Sequence, residues 1–200
     1  EYGASSHLIA YGADHVTNEP FDDELIEKYP QVKKNYAFKV CRIEPENNIH
    51  IILEAFSILP EKNLVCIGNW GNSEYGKNLK MKYAKHKNIF LLDPIYDQLI
   101  LNKLRSNCSI YIHGHSAGGT NPSLVEAMYL GLPIFAFGVD YNKETTENKA
   151  LYFDDVTDLV SLLNNVNTDQ LSEISYEMKN IAKVRYTWSY VCKQYTELFD

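Results

Sequence analysis

Six short apolar runs alternate along this chain with stretches in which apolar residues recur at helical intervals. The runs cover residues 36–41, 64–68, 88–93, 108–112, 134–137 and 150–153. The stretches between them at 48–59, 77–86, 97–105 and 124–130 favour helices. Strands that are buried on both faces have continuous apolar sequences, as these runs do. The alternation therefore predicts an α/β fold, in which a parallel sheet of about six strands carries helices on both faces.

The two ends of the chain lie outside this alternation. Residues 6–14 predict a short strand that ends in a glycine turn, and residues 22–29 are acidic and weakly helical. Further helices are predicted at 156–163, 168–185 and 188–199. We divide the chain into an interdomain segment at 1–35, the regular α/β domain at 36–185 and a C-terminal helix at 186–200.

The composition argues against several classes of protein. Hydrophobic residues make up 45% of the chain and charged residues 22%, as in soluble globular proteins. The net charge of −7 argues against a general nucleic-acid-binding protein. The four cysteines, Cys41, Cys66, Cys108 and Cys192, are widely spaced and form no CxxC motif. This spacing favours free thiols in a reducing compartment over disulfides or a zinc site.

The sequence predicts neither a membrane span nor a secretory signal, because no apolar run is long enough for the first and the start lacks the pattern of the second. The chain also begins at Glu1 rather than with a methionine. We therefore expect a cytoplasmic protein, and we expect this sequence to be a fragment of a longer chain.

One stretch, residues 113–128, has the pattern of an anion-binding turn. It joins the fourth apolar run to a helix through Gly118 and Gly119, where ligands can approach the backbone closely. Pro122 suits the first turn of that helix, and Thr120 or Asn121 is the predicted N-cap. A strand, a glycine turn and a helix N-terminus together favour an anion. An ordinary strand-to-helix turn that binds nothing is the alternative.

Other polar residues are predicted to share this edge of the sheet. Ligands of open parallel sheets bind outside the carboxyl ends of the strands. That rule places Arg42, residues 68–69 and residues 93–94 beside residues 113–123.

Several motifs in this order resemble one enzyme family. The sequence reads I-A-Y-G-A-D at 9–14, C-R-I-E-P-E-N-N at 41–48, G-G-T-N-P-S-L-V-E-A-M at 118–128 and W-S-Y at 188–190. These motifs resemble the C-terminal, nucleotide-sugar-binding half of retaining GT-B glycosyltransferases of the group 1 type. The second and third are most similar to the bacterial rhamnosyltransferase branch. The resemblance covers essentially the whole chain and implies a Rossmann-like sheet.

The resemblance also implies an activity and its partners. A sugar would pass from a nucleotide-diphosphate donor, dTDP-rhamnose in the branch named above, to a glycan or lipid-linked acceptor in polysaccharide biosynthesis. The acceptor site would lie on an N-terminal domain of the same polypeptide, to which the helix at 186–200 returns. No metal and no further cofactor are expected, and this chain alone would be inactive. The full protein would be cytoplasmic or peripheral at the inner face of the plasma membrane.

The resemblance assigns roles to individual residues. Arg42 and Glu126 are the implied catalytic residues, with Arg42 on the diphosphate and Glu126 accepting from ribose hydroxyls. The implied donor-binding residues are Asn47, Gly68, Asn69, Pro94, Ile95, His115, Gly118, Gly119, Thr120, Asn121, Ser123 and Leu124. Two positions depart from the family pattern. Asn47 stands where the family has a lysine, and Gly118 stands where the family has the first of its two glutamates.

Each assignment has a plainer alternative. Arg42 could form a surface ion pair with Glu44 or Glu46, and Glu126 could serve only the helix dipole. Asp140 and Glu144 resemble a further family segment, or they begin a solvated acidic helix. For the whole chain, one alternative is a metal-dependent hydrolase that uses His113 and His115. The other is a non-catalytic nucleotide-binding or interaction module.

Overall fold

The six predicted strands form one parallel sheet. The computed structural model describes Gly3 and residues 7–199. Its strands are β1 (Tyr36–Val40), β2 (Asn63–Ile67), β3 (Ile89–Leu92), β4 (Ile110–His113), β5 (Ile134–Phe137) and β6 (Leu151–Phe153). Their order is β3-β2-β1-β4-β5-β6, and every neighbouring pair is parallel. The order turns back at β1 and β4, so a ligand-binding crevice is expected where these two strands end.

Nine α-helices accompany the sheet in the described part of the chain. They are α1 (Asp23–Lys28), α2 (Ile49–Ile58), α3 (Glu74–Tyr83), α4 (Gln98–Ser106), α5 (Pro122–Tyr129), α6 (Asp140–Thr145), α7 (Val156–Asn165), α8 (Thr168–Arg185) and α9 (Trp188–Thr196). Short 3₁₀ helices cover Pro30–Lys33 and Pro45–Asn47. Within residues 7–199, no helix has the length and apolar character needed to cross a membrane.

Both faces of the sheet are buried, which explains the continuous apolar strands. Phe38 and Tyr111 point to a core shared with α4, α5 and α8. Ala37 and Ile112, their neighbours in sequence, point to a second core shared with α2 and α7. The predicted sheet with helices on both faces is therefore confirmed. The four cysteines are free thiols, as predicted.

One prediction about an element was wrong. Residues 7–14, the described part of the first predicted strand, do not join the sheet. They lie instead along the start of α9, where Ala13 N–H donates to the Tyr186 carbonyl at 2.7 Å and Asp14 accepts from Trp188 N–H at 2.7 Å. At residues 140–145 the structure has a helix, α6, which Asp140 begins, in agreement with the alternative of an acidic helix start.

This contact gives a stability prediction for Gly12. A Cβ on Gly12 would lie 2.5 Å from the Trp188 ring and 2.7 Å from its backbone nitrogen. Gly12→Ala should therefore destabilise the chain by about 1–3 kcal/mol, as overpacking does. Gly119→Ala is the matched control, since a Cβ there meets nothing within 4 Å. Thermal unfolding of both variants measures the difference, and equal melting temperatures would contradict the packing of residues 7–14 on α9.

Candidate functional site

A cleft of about 300 Å³ lies where β1 and β4 end. Its lining residues come from β1 and the segment after it, from α4, from the loop between β4 and α5, and from the first turn of α5: Lys39, Val40, Cys41, Arg42, Asn47, Arg105, His115, Asn121, Pro122 and Ser123. Five predicted site residues therefore lie together, namely Arg42, Asn47, His115, Asn121 and Ser123. Lys39 and Arg105 were not predicted.

Three cations line this cleft. Arg42 follows β1 and is exposed, and it forms no ion pair with any residue of the described part of the chain. The alternative pairing of Arg42 with Glu44 or Glu46 is therefore not formed. Lys39 and Arg105 are 1% and 3% exposed. A fixed cluster of positive charge beside a cleft favours an anionic ligand, although the whole chain is acidic.

Asn47 and His115 fix each other's orientation. The Asn47 side-chain amide donates to the Arg42 carbonyl at 2.9 Å, and its oxygen lies 3.1 Å from His115 Nδ1. His115 Nδ1 therefore carries the proton of this hydrogen bond. Burial lowers the pKa of His115, and the charges of Lys39 and Arg42 lower it further. The neutral ring then has an unprotonated Nε2, which accepts a hydrogen bond.

The N-terminus of α5 is closed by its own cap. Asn121 is the N-cap, as predicted, and its side-chain oxygen accepts from both Ser123 N–H and Ser123 Oγ–H, at 3.0 and 2.8 Å. Leu124 N–H donates to the Asn121 carbonyl at 3.1 Å. The backbone N–H groups of these two implied donor-binding residues are therefore occupied within the helix cap in this conformation. Gly118, with φ of +111°, and Gly119 form the open side of the turn.

Glu126 is held by groups from three segments. Its Oε2 lies 2.5 Å from Nη1 of the buried Arg105 on α4, and its Oε1 lies 3.2 Å from His15 Nε2. Trp188 Nε1–H donates to His15 Nδ1 at 3.2 Å, so His15 carries its proton on Nε2 and donates to Glu126. The carboxylate is therefore more than a partner of the helix dipole. It joins α5 to α4, to residue 15 and to the start of α9.

A second depression lies at the ends of β2 and β3. It measures about 570 Å³, and two residues that the resemblance assigns to donor binding, Asn69 and Pro94, line it. Gly68 has a packing role in the structure, and its implied contact with the donor stays a prediction. A Cβ there would lie 2.4 Å from the Ile43 side chain and 2.7 Å from the Cys41 carbonyl, so Gly68 allows close internal packing. Ile95 packs partly against the core.

His113 does not belong to a metal site within the described residues. No group of three or more His, Cys, Asp or Glu side chains that could hold a metal occurs in Gly3 and residues 7–199. His113 is fully buried, and neither ring nitrogen has a described hydrogen-bond partner. Burial lowers the pKa of His113 well below its usual value, and the charge of Lys39 lowers it further. The hydrolase alternative therefore lacks a third ligand in this part of the chain.

Glu144 lies on the surface of α6 and forms an ion pair with Arg185 of α8. Glu147 contacts the same guanidinium at 3.1 Å. This arrangement agrees with the alternative of a solvated acidic helix better than with a ligand contact.

The sequence model of one protein family matches residues 21–185, which is most of the chain. That family is described as "Glycosyl transferases group 1". The chain belongs to this family. No curated protein matches this group 1 domain.

Solved structures share the fold of this group 1 domain. Anabaena HepE in complex with UDP and glucose has a TM-score of 0.76 at 18% identity, over 95% of this chain and 55% of HepE. Sucrose-phosphate synthase from Thermosynechococcus elongatus has a TM-score of 0.73 at 15% identity, over 96% of this chain and 49% of the synthase.

A separately solved domain also matches. The C-terminal domain of a group 1 glycosyl transferase, LpcC from Francisella tularensis, has a TM-score of 0.66 at 14% identity. This match covers 86% of our chain and 96% of the LpcC domain. The group 1 domain thus spans about half of the two longer enzymes, and the expected fold of a GT-B C-terminal half is confirmed. The rhamnosyltransferase branch stays a prediction.

Proposed function

We propose that this chain binds the donor of a glycosyltransferase that passes a sugar from a nucleoside diphosphate to an acceptor hydroxyl. The observation that carries the proposal is the cluster of Lys39, Arg42 and Arg105 in the cleft at the ends of β1 and β4. The family supports the class of reaction. HepE has been solved in complex with UDP and glucose, which supports the proposal of a nucleotide-sugar donor for this chain.

The cleft suits the leaving group of such a reaction. When the bond between the sugar and the diphosphate breaks, its electron pair stays on a phosphate oxygen and negative charge builds there. Arg42 is exposed and free of described carboxylates, so its planar guanidinium can donate to two phosphate oxygens. Donors fixed where charge develops stabilise the transition state. Any base for the acceptor would come from outside this chain.

Glu126 would accept a hydrogen bond from a hydroxyl group of the nucleoside. Arg105 and His15 each hold one of its oxygens, which fixes the orientation of the carboxylate. Carboxylate oxygens have further lone pairs, so a ribose hydroxyl can still donate to them. The base would lie in the depression lined by Asn69 and Pro94.

We propose a 6-deoxy sugar, rhamnose on dTDP, as the donor. The support is the similarity of residues 118–128 to the rhamnosyltransferase branch and the glycine in place of a carboxylate at Gly118. A Cβ at Gly118 would lie 3.5 Å from His115 Nε2. In place of the carboxylate that the family pattern has at this position, His115 Nε2 offers one neutral hydrogen-bond acceptor. Fewer acceptors suit a 6-deoxy sugar, which has one hydroxyl fewer than a hexose. dTDP itself lacks a ribose 2′-OH, so Glu126 would accept a single hydrogen bond.

The acceptor and its location follow from the same proposal. A glycan or lipid-linked acceptor in bacterial polysaccharide biosynthesis would bind to an N-terminal domain, at the inner face of the plasma membrane. The segment at 1–35 and the helix at 186–200 would connect to that domain. The exposed aromatic residues Trp188, Tyr190, Tyr195 and Phe199 support such a contact, since exposed apolar patches often mark interfaces.

Thermal unfolding with added nucleotides tests the proposal. We expect dTDP to raise the melting temperature more than UDP, GDP or ADP, because a ligand of the native state stabilises it. The shift should persist in EDTA, since protein cations take the place of a metal. The control is thymidine, which lacks the phosphates and should give a smaller shift. Unchanged melting temperatures with all four diphosphates at millimolar concentrations would contradict the proposal.

A further inference from the structure

Lys39 is a charged residue in a place where charge is costly. It lies near the end of β1 between Phe38 and Val40, and it is 1% exposed. Buried lysines are rare, and those that occur are normally paired with a carboxylate or hydrogen-bonded. The ammonium group of Lys39 has neither kind of partner among residues 7–199. The side chain nevertheless lines the cleft at the ends of β1 and β4.

The surroundings of Lys39 supply no negative charge to it. Arg42 lines the same cleft without an ion pair, the charge of Arg105 is matched by Glu126, and the imidazoles of His113 and His115 have lowered pKa values and are neutral. The half-buried carboxylate of Glu126 is already held by Arg105 and His15, and Glu46, whose charge acts on His115, forms no described ion pair with Lys39. Asn47 uses both ends of its amide within the protein. The protein therefore leaves Lys39 without an anion.

From this arrangement we infer that Lys39 binds the diphosphate group of the ligand from the buried side of the cleft, while the exposed Arg42 binds it from the solvent side. The inference rests on the proposed function and adds a residue to it. An anion in this cleft would supply the partner that the buried ammonium lacks. Because the surrounding dielectric is low, the interaction would be much stronger than one made by a surface lysine.

We expect the substitution Lys39→Met to raise the stability of the empty protein and to weaken its binding of a diphosphate. Lys39→Met keeps the length and apolar stem of the side chain and removes an unpaired buried charge. The empty protein should then melt at a higher temperature than the wild type, since apolar replacements of buried charges are often stabilising. The stabilisation by a diphosphate should fall. A side chain with a purely structural role would lower the melting temperature and leave ligand binding unchanged.

The experiment compares four proteins with inorganic pyrophosphate as the probe and dTDP as the second ligand. They are the wild type, Lys39→Met, Lys39→Arg and the control Lys85→Met, which removes the same charge from an exposed position. Calorimetric titration and thermal unfolding are measured for each. We expect Lys39→Met to bind pyrophosphate and dTDP roughly tenfold more weakly or worse, since hydrogen bonds to charged groups are strong. Lys39→Arg should retain most of the affinity, and Lys85→Met should match the wild type.

Each other outcome has a definite meaning. Unchanged pyrophosphate affinity in Lys39→Met overturns the inference, and so does a wild type that binds no pyrophosphate. If Lys39→Met does not fold, Lys39→Gln takes its place with the same expectation. The failure of the proposed function looks different. In that case the wild type binds pyrophosphate through Lys39, but dTDP binds no more tightly than pyrophosphate does.

Discussion

Glu126→Ala should lower the free energy of unfolding by about 3 kcal/mol, because it leaves the Arg105 guanidinium buried without its carboxylate. Arg105 is 3% exposed, and its Nε and Nη1 atoms have no well-aligned hydrogen-bond partner in the described residues. For a chain of this size, the loss corresponds to a fall in melting temperature of roughly 6–12 °C. Denaturant and thermal unfolding measure it.

A double variant separates the structural role of Glu126 from its proposed ligand role. Adding Arg105→Met to Glu126→Ala removes the unpaired charge and should restore much of the lost stability. Affinity for dTDP should be lower in the double variant than in Arg105→Met alone, because only the double variant also lacks the proposed partner of the ribose. If Glu126→Ala unfolds within about 0.5 kcal/mol of the wild type, Arg105 and Glu126 are not coupled.

Arg42→Ala should weaken binding of dTDP by about 10- to 100-fold and leave thymidine binding unchanged. Hydrogen bonds to charged groups contribute about 1.5–3 kcal/mol, and each 1.4 kcal/mol is tenfold in affinity. The side chain is exposed and has no described carboxylate partner, so the melting temperature without ligand should stay close to that of the wild type.

Arg42→Lys provides the matched control, since it keeps the charge but loses the fork of donors that fits two phosphate oxygens. Its affinity for dTDP should lie between those of the wild type and Arg42→Ala. Calorimetric titration is the measurement. Equal dTDP affinity in all three proteins would remove Arg42 from the diphosphate site.

The fold was predictable because its main determinants are local. The apolar runs and their helical connections follow from burial on both faces of the sheet, and the N-cap at Asn121 follows from the proline after it. Residues 7–14 misled the prediction because an apolar run before a glycine is also typical of a segment that packs on a helix. Its actual place depends on Trp188, which lies far along the chain.

The site was less predictable, since part of it depends on distant contacts. Arg42 and Asn47 lie in a recognisable motif, whereas Lys39 stands inside a strand and Arg105 inside a helix that no motif marks. A charged residue within an apolar run was the available sign for Lys39. The sequence carries no such sign for Arg105, because its place in the site depends on a contact with Glu126 of another helix. The close packing of Gly68 against Ile43 and Cys41 was equally hidden, because it depends on the loop after the neighbouring strand.

A crystal structure of this chain grown with saturating dTDP would locate the donor site. We expect the diphosphate in the cleft at the ends of β1 and β4, within hydrogen-bond distance of Arg42 and Lys39. The thymine base should lie beside Asn69 and Pro94, and the 3′-hydroxyl of the deoxyribose should donate a hydrogen bond to Glu126. A nucleotide bound elsewhere on the chain, or a cleft that stays empty at saturation, would contradict this expectation.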